Sequence, residues 1–206
     1  MSDSIKAVTK GLIALGSNLP SEAGSSVETL AIALQLLDGE SVCVTSVSRV
    51  FRTPAWPPGS GPDFANAAAI VETTLPPEAL LARLHAVEAE LGRIWTVRWG
   101  ARAIDLDLLA YGDRIAPDEA TLRHWIDLPA EAQVREAPGV LLLPHPRLQD
   151  RGFVLVPLAD VAPDWRHPLL GVTVREMRDR LGPESFEGIE VLPDSLTELA
   201  GSSPDC

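Results

Sequence analysis

Cysteine is nearly absent from this chain. Among 206 residues there are two, Cys43 in an apolar run and Cys206 at the last position, so neither a disulfide framework nor a zinc-ligand spacing can be read. That scarcity suits a reducing compartment. Long apolar runs are missing too: none approaches the roughly 18 residues that a membrane span needs. The N-terminal MSDSIKAVTKGL also lacks the basic region and apolar core of a signal peptide. A soluble, cytoplasmic protein with no membrane partner is the expectation. Positive charge is in short supply, with 17 Lys and Arg against 29 Asp and Glu and a formal charge of −12. Such a balance argues against a nucleic-acid partner, because tracking phosphates requires a basic face. The sequence contains no G-x-x-x-x-G-K-[ST], no G-x-G-x-x-G after a strand, no G-x-S-x-G and no Cys/His cluster. If the chain handles a nucleotide, it does so without a P-loop.

What is present is ordinary globular material, 46% hydrophobic and 22% charged, in a length that suits one domain. Residues 183–206 hold Glu184, Glu187, Glu190, Asp194, Glu198 and Asp205 without a single Lys or Arg. They read as an acidic, flexible tail beyond a domain at 10–182.

GLIALGSN (11–18) reads as a buried strand ending in a Gly-Ser-Asn turn. In SSVETLAIALQLLDG, Leu30, Ala33, Leu34 and Leu37 recur at helical spacing, Ser25 or Ser26 caps the start and Gly39 closes the end. VCVTSVSRVFRT (42–53) reads as one strand. PAWPPGSGPDF (54–64) is too rich in Pro and Gly for anything but a loop, and ANAAAIVETT after it is a strand. PPEALLARLHAVEAELG is a helix with Leu80, Leu84, Val87 and Leu91 on one stripe and Gly92 as its stop. Residues 113–139 are polar and proline-punctuated, an insertion with a helical turn or two, and VTVREMRDRLG is a short last helix. The order β-α-β-β-α-β-(α) implies an α+β sheet layered with helices.

RWGARAIDLDLLAYGDR (98–114) places two carboxylates, Asp105 and Asp107, inside an apolar strand. Ile104, Leu106 and Leu108 then share one face, and the two Asp share the other with Leu109, roughly 6–7 Å apart at Cα. The plain explanation is a half-exposed strand with a charged outer face. Asp is disfavoured in strands, however, and like charges on one face repel unless a cation lies between them. Two hard oxygen ligands can hold Mg²⁺, which takes one or two carboxylates plus substrate phosphates. Arg93, Arg98 and Arg102 precede the pair, where a polyphosphate can lie. His145 stands between two prolines, and Asn66 is either an Asx-turn residue or a donor and acceptor for the edge of a heterocycle. Trp56, Phe64 and Phe153 read either as packing residues or as walls for a ring.

In order along the chain come GSN, FRTP, PDF-x-N-A, ELGR, RWG-x-R-x-IDLDLL, LPHPR and RGFVL-x-PL-x-D-x-AP. In this succession the chain closely resembles the 6-hydroxymethyl-7,8-dihydropterin pyrophosphokinases of folate biosynthesis, over about residues 10–165 apart from the insertion. The resemblance implies a ferredoxin-like α+β sandwich with a mainly antiparallel sheet. It implies transfer of the β,γ-pyrophosphoryl group of ATP to the pterin's hydroxymethyl oxygen, with release of AMP, using two Mg²⁺ ions; a monomer is the expectation, although nothing in the sequence gives the oligomeric state. Asp105 and Asp107 fall on the family's metal-binding aspartates. Arg93 and Arg102 fall on arginines that act on the triphosphate and, with Asp107, are the expected catalytic residues. His145 and Arg151 fall on ATP contacts. Thr53, Pro54, Trp56, Phe64, Asn66, Trp99 and Phe153 fall on the pterin side, with Asn66 reading the ring's polar edge and Phe153 stacking on it. Trp95, Ala101, Val140 and Pro146 depart from the residues that many relatives carry, without removing a metal ligand. They leave a second expectation open: a non-catalytic relative that binds pterin and nucleotide and uses its insertion or tail as a contact surface.

Overall fold

The computed structural model describes residues 7–20, 24–55, 59, 61–92, 103–129, 132, 136–193 and 196. Strand β1 (Thr9–Ser17) lies at the heart of a sheet with order β5-β1-β4-β3-β6. Its neighbours are β4 (Phe64–Thr73) and β5 (Asp105–Tyr111), while β2 (Val42–Val47) and β3 (Phe51–Thr53) share the far edge of β4. The two-residue β6 (Glu190–Val191) extends β3, and every pairing is antiparallel.

Helices cover both faces, which is why β4 is buried along nearly its whole length rather than on alternate residues. On one face Ile13, Leu15, Ala67, Ala69, Leu106 and Leu108 pack under α1 (Ser26–Leu37) and α2 (Pro77–Glu90). A capping box between Ser25 and Glu28 starts α1. Pro at the first turn starts α2, and Gly92, at φ +83°, stops it. Beyond β5 come α3 (Glu119–Ile126), α4 (Gly152–Val161) and α5 (Val174–Arg180). On the opposite face Leu12, Ala68, Leu109 and Ala110 pack with Leu155 and Leu158 of α4 and Met177 of α5. Leu109 lies on that face in alternation with Asp107, and a register shift between Leu12 and Ile13 brings Ala110, paired with Leu12, onto it as well.

Several expectations are corrected. The strand read over 42–53 is two strands, because β2 shifts register between Val44 and Ser46 and the chain then turns through Ser48. There the Ser48 N–H donates to the Ala68 carbonyl, and its Oγ accepts from the Ala68 N–H, both at 2.9 Å. Helix α1 ends at Leu37 with an extended Asp38 as its C-cap, while Gly39 pairs with Val42 instead. The insertion is tied to the domain. Asp118 caps α3, Leu122 is fully buried, and Ala116 exchanges backbone hydrogen bonds with Leu143. Nor does the domain stop at 182, since a 3₁₀ turn at Pro183–Phe186, β6 and the buried Leu196 all belong to it. Cys43 is disulfide-bonded.

Candidate active site

The register brings Asp105, Gly16, Asn66 and Phe51 into one row across four strands, β5, β1, β4 and β3. Residues paired directly across antiparallel strands point to the same side of the sheet, so Asp105 and Asn66 face the same way with only a glycine between them. The strand spacing puts them roughly 10 Å apart at Cα. One row further in stand Asp107, Ala14 and Ala68, again with a small residue beside the carboxylate. In the direction of the sheet's end, Phe64 pairs with Thr53 on the same face. The Asn66 Nδ2 amide donates to Thr53 Oγ1 at 2.7 Å, a buried bond that fixes which way the amide is turned.

A second segment closes over this row. The His145 N–H donates to the Leu109 carbonyl at 2.8 Å, pinning the Pro144–Pro146 corner to β5. His145 Nδ1 accepts from the Arg147 N–H at 3.1 Å. Burial, and secondarily the positive charge of Arg151, lowers the imidazole pKa to about 3, with Asp105 acting weakly against them and Arg147 with them. His145 is therefore neutral, and with Nδ1 accepting, its proton is on Nε2. Arg151, the residue before α4, is itself pulled below the usual arginine range by burial, which Asp107 opposes most and Asp105 less. A guanidinium does not lose its proton at such positions, so Arg151 is a fixed positive charge facing both carboxylates. Its guanidinium carbon stands 5.7 Å from the centre of the Phe153 ring, which is 36% exposed.

Asp105, Asp107, Asn66, Thr53, Phe64, His145, Arg151 and Phe153 thus converge on one end of one face, and Pro54 follows Thr53 directly. Trp56, Arg93, Trp99 and Arg102, together with Trp95, Arg98 and Ala101, lie outside the described residues. Val140 is 56% exposed. Among the described residues no group of three or more His, Cys, Asp or Glu is gathered into a metal cage. Two carboxylates without a cage suit an ion that keeps water and substrate phosphates as its other ligands.

Three residues of this site carry weight that sequence reasoning overlooked. Gly16 was visible only as part of a turn motif, yet a Cβ there would lie 2.7 Å from Asn66 Oδ1. Glu88 Oε1 accepts the Leu106 N–H at 2.7 Å and so holds β5 between its two Asp. Its signal was a carboxylate four residues after Leu84 on the buried stripe of α2. Arg147 pairs with Asp150 at 3.0 Å and donates to the Ile126 carbonyl at 3.2 Å, joining the inserted helix to the His145 corner.

A family model described as 7,8-dihydro-6-hydroxymethylpterin-pyrophosphokinase (HPPK) matches residues 12–163. The 2-amino-4-hydroxy-6-hydroxymethyldihydropteridine pyrophosphokinase of Methylorubrum extorquens is 36% identical over 184 residues, 89% of this chain and 100% of that protein. The protein of the same name from Pseudomonas aeruginosa is 36% identical over 181 residues, 88% of this chain and 95% of that one. In structure, the wild-type Plasmodium falciparum HPPK-DHPS with pteroate superposes with a TM-score of 0.65 at 15% identity, over 93% of this chain and 47% of that one. The chain thus spans about half of the solved protein it resembles, and at that identity the likeness speaks for the fold alone, a ferredoxin-like α+β fold. Sequence match over most of the length, fold, and a carboxylate facing the same way as an asparagine across one glycine agree: the chain belongs to the 7,8-dihydro-6-hydroxymethylpterin-pyrophosphokinase family.

Proposed function

We propose that this chain is an ATP-dependent pyrophosphokinase that converts 6-hydroxymethyl-7,8-dihydropterin and ATP into the pterin diphosphate and AMP. The observation that carries the reading is the single row in which Asp105 and Asn66 face the same way across Gly16. A triphosphate held at the carboxylate end and a pterin read at the amide end would meet over the glycine.

In the reaction the hydroxymethyl oxygen bonds to the β-phosphorus, the bond from that phosphorus to the oxygen it shares with the α-phosphorus breaks, and AMP leaves with that oxygen. Attack inside a polyanion demands positioning and charge neutralisation more than a strong base. Asp105 and Asp107 are the residues to hold Mg²⁺, two ions in this reading, which would neutralise phosphate charge and orient the triphosphate. Arg151 adds a fixed cation beside them, and Arg93 and Arg102 are assigned to the triphosphate by their place in the family's motifs. His145, neutral with its proton on Nε2, is a donor toward phosphate oxygen. Asp107 doubles as the weak acceptor of the hydroxyl proton. Asn66, oriented by Thr53, presents an acceptor and a remaining donor to the pterin's polar edge, Phe64 and Phe153 supply its apolar walls with Pro54 beside Thr53, and Trp56 and Trp99 are assigned to the pterin by their place in the family's motifs.

A monomer in the cytoplasm, where ATP is supplied, completes the proposal. A formal charge of −12 supports small-molecule substrates rather than nucleic acid. No helix among the described residues is long and apolar enough to cross a membrane. Incubation with ATP, Mg²⁺ and the reduced pterin is expected to yield AMP. Asp105→Ala and Asp107→Ala are each expected to abolish turnover while the protein still melts cooperatively. Production of ADP, or of free phosphate without pterin, contradicts the assignment, and so does an Asp variant that keeps most of its activity.

A further inference from the structure

We infer that residues 183–192 form a strap that positions the pterin side of the site, with Gly188 and Glu190 as its positioning residues. The strap meets the site's framework at three places. At the first, the Ser185 carbonyl sits on the opening residue of α4, where a Cβ on Gly152 would lie 2.0 Å from it. Gly152 lies between Arg151 and Phe153. At the second, Gly188 turns with φ +72°, and a Cβ there would come within 2.6 Å of Pro54 Cγ. That contact abuts the first residue of the loop that leaves Thr53. At the third, Arg52 on β3 pairs with Glu190 at 2.5 Å and with Asp63 at 3.9 Å, so one guanidinium joins the strap to the residue that leads into Phe64.

Both ends of the Pro54–Asp63 loop and the start of α4 are therefore referenced to one short segment. The segment is itself anchored. Arg52 and Phe51 pair with Glu190 and Val191, the Leu192 N–H donates to the Val50 carbonyl at 2.9 Å, and Leu196 is 1% exposed in the main core. The Arg52–Glu190 pair is exposed on both sides, so charge contributes little. Steric contact at Gly188 is the stronger constraint, because a left-handed backbone and a neighbouring proline ring both resist a side chain there. Gly188 touches Pro54, whereas Gly152 adjoins Arg151, so a change at Gly188 disturbs the pterin wall without reaching the phosphate side.

This inference rests on the reading that pterin lies against Phe64, Asn66 and Phe153, and calorimetry with 6-hydroxymethylpterin and with Mg²⁺ and a non-hydrolysable ATP analogue separates the two. Gly188→Ala is expected to weaken pterin binding about tenfold, the order that strain at a left-handed position amounts to when it is relieved by displacing Pro54, with ATP-analogue affinity held within about twofold. Glu190→Lys, at an exposed position that tolerates substitution, is expected to shift affinity in the same direction by about threefold at low salt, and it decides the matter if Gly188→Ala does not fold. Phe153→Ala is the control. If it weakens pterin binding while the folded strap variants match the wild type, or weaken pterin and nucleotide alike, the strap inference falls alone. If Phe153→Ala leaves pterin affinity unchanged, the site reading falls and takes the strap inference with it.

Discussion

A Cβ added at Gly16 would stand 2.7 Å from Asn66 Oδ1, so the glycine is what allows an amide on β4 and a carboxylate on β5 to face the same way across β1. The same kind of argument, from the space and partners around one side chain, identifies a second residue whose effect is on stability. His167 is fully buried, and its Nδ1 accepts from the N–H groups of Leu169 and Leu170, both at 3.2 Å. The proton of the neutral ring is therefore on Nε2, which has no hydrogen-bond partner among the described residues. Burial pulls the pKa from the ordinary 6.5 to about 4, with a backbone hydrogen bond acting weakly against it. Above pH 6.5 the ring is neutral in both folded and unfolded chains and contributes no pH dependence. As pH falls below 6.5 the unfolded chain takes up a proton that the folded one refuses, so stability declines until pH reaches about 4. By pH 5 the loss from this residue is about 2 kcal/mol. His167→Asn keeps an oxygen acceptor for the two N–H groups but does not titrate. Urea unfolding at pH 7.5 and pH 5 is expected to show the wild type losing about that much more stability than the variant. Equal losses in the two proteins remove His167 as the cause.

At the scale of elements, β5 is an edge strand that carries both carboxylates, and an edge strand keeps its place only if its outward N–H groups find partners. Glu88 of α2 supplies one, accepting the Leu106 N–H at 2.7 Å between Asp105 and Asp107. Glu88→Ala leaves that buried donor unpaired, and unfolding in urea is expected to show a loss of about 1–3 kcal/mol. A loss below about 0.5 kcal/mol means the N–H finds another acceptor and the brace is not needed. Which elements were legible follows the same physics. The capping box of α1 and the Leu80, Leu84, Val87 stripe of α2 are local signals, strong enough to be read within a dozen residues. Helix α4 was harder, because Phe153–Val156 is rich in strand-forming residues and Pro157 interrupts the helical hydrogen bonds. Its helicity is imposed by packing of Val154, Leu155 and Leu158 on the sheet. The β2–β3 break and the two-residue β6 depend on partners more than a hundred residues away in the second case, and no window of sequence contains them.

For the molecule as a whole, the alternation Asp-Leu-Asp announced a carboxylate pair, but not that a glycine and an asparagine would complete its row. That knowledge is in the register of three strands drawn from residues 9–17, 64–73 and 105–111. The acidic balance of the chain was equally plain, and it sets a problem for the proposed reaction, because a protein with formal charge −12 must bind a triphosphate of the same sign. Arg151 is one local cation facing Asp105 and Asp107, yet the two carboxylates outnumber it, and divalent ions between carboxylate and phosphate remove that repulsion. Nucleotide binding is thus expected to be conditional on metal, and linkage carries the condition to the stability of the entire fold. At a concentration of about 100 times the dissociation constant, a non-hydrolysable ATP analogue with Mg²⁺ should stabilise the folded chain by ~2.7 kcal/mol. In a protein of this size that is a rise in Tm of about 5–10 °C, followed by calorimetry or near-ultraviolet dichroism. EDTA should cancel the rise, and Asp105→Asn should show little of it with Mg²⁺ present. If the analogue raises Tm equally in EDTA, protein cations alone hold the triphosphate, and the carboxylate pair is not where the metal acts.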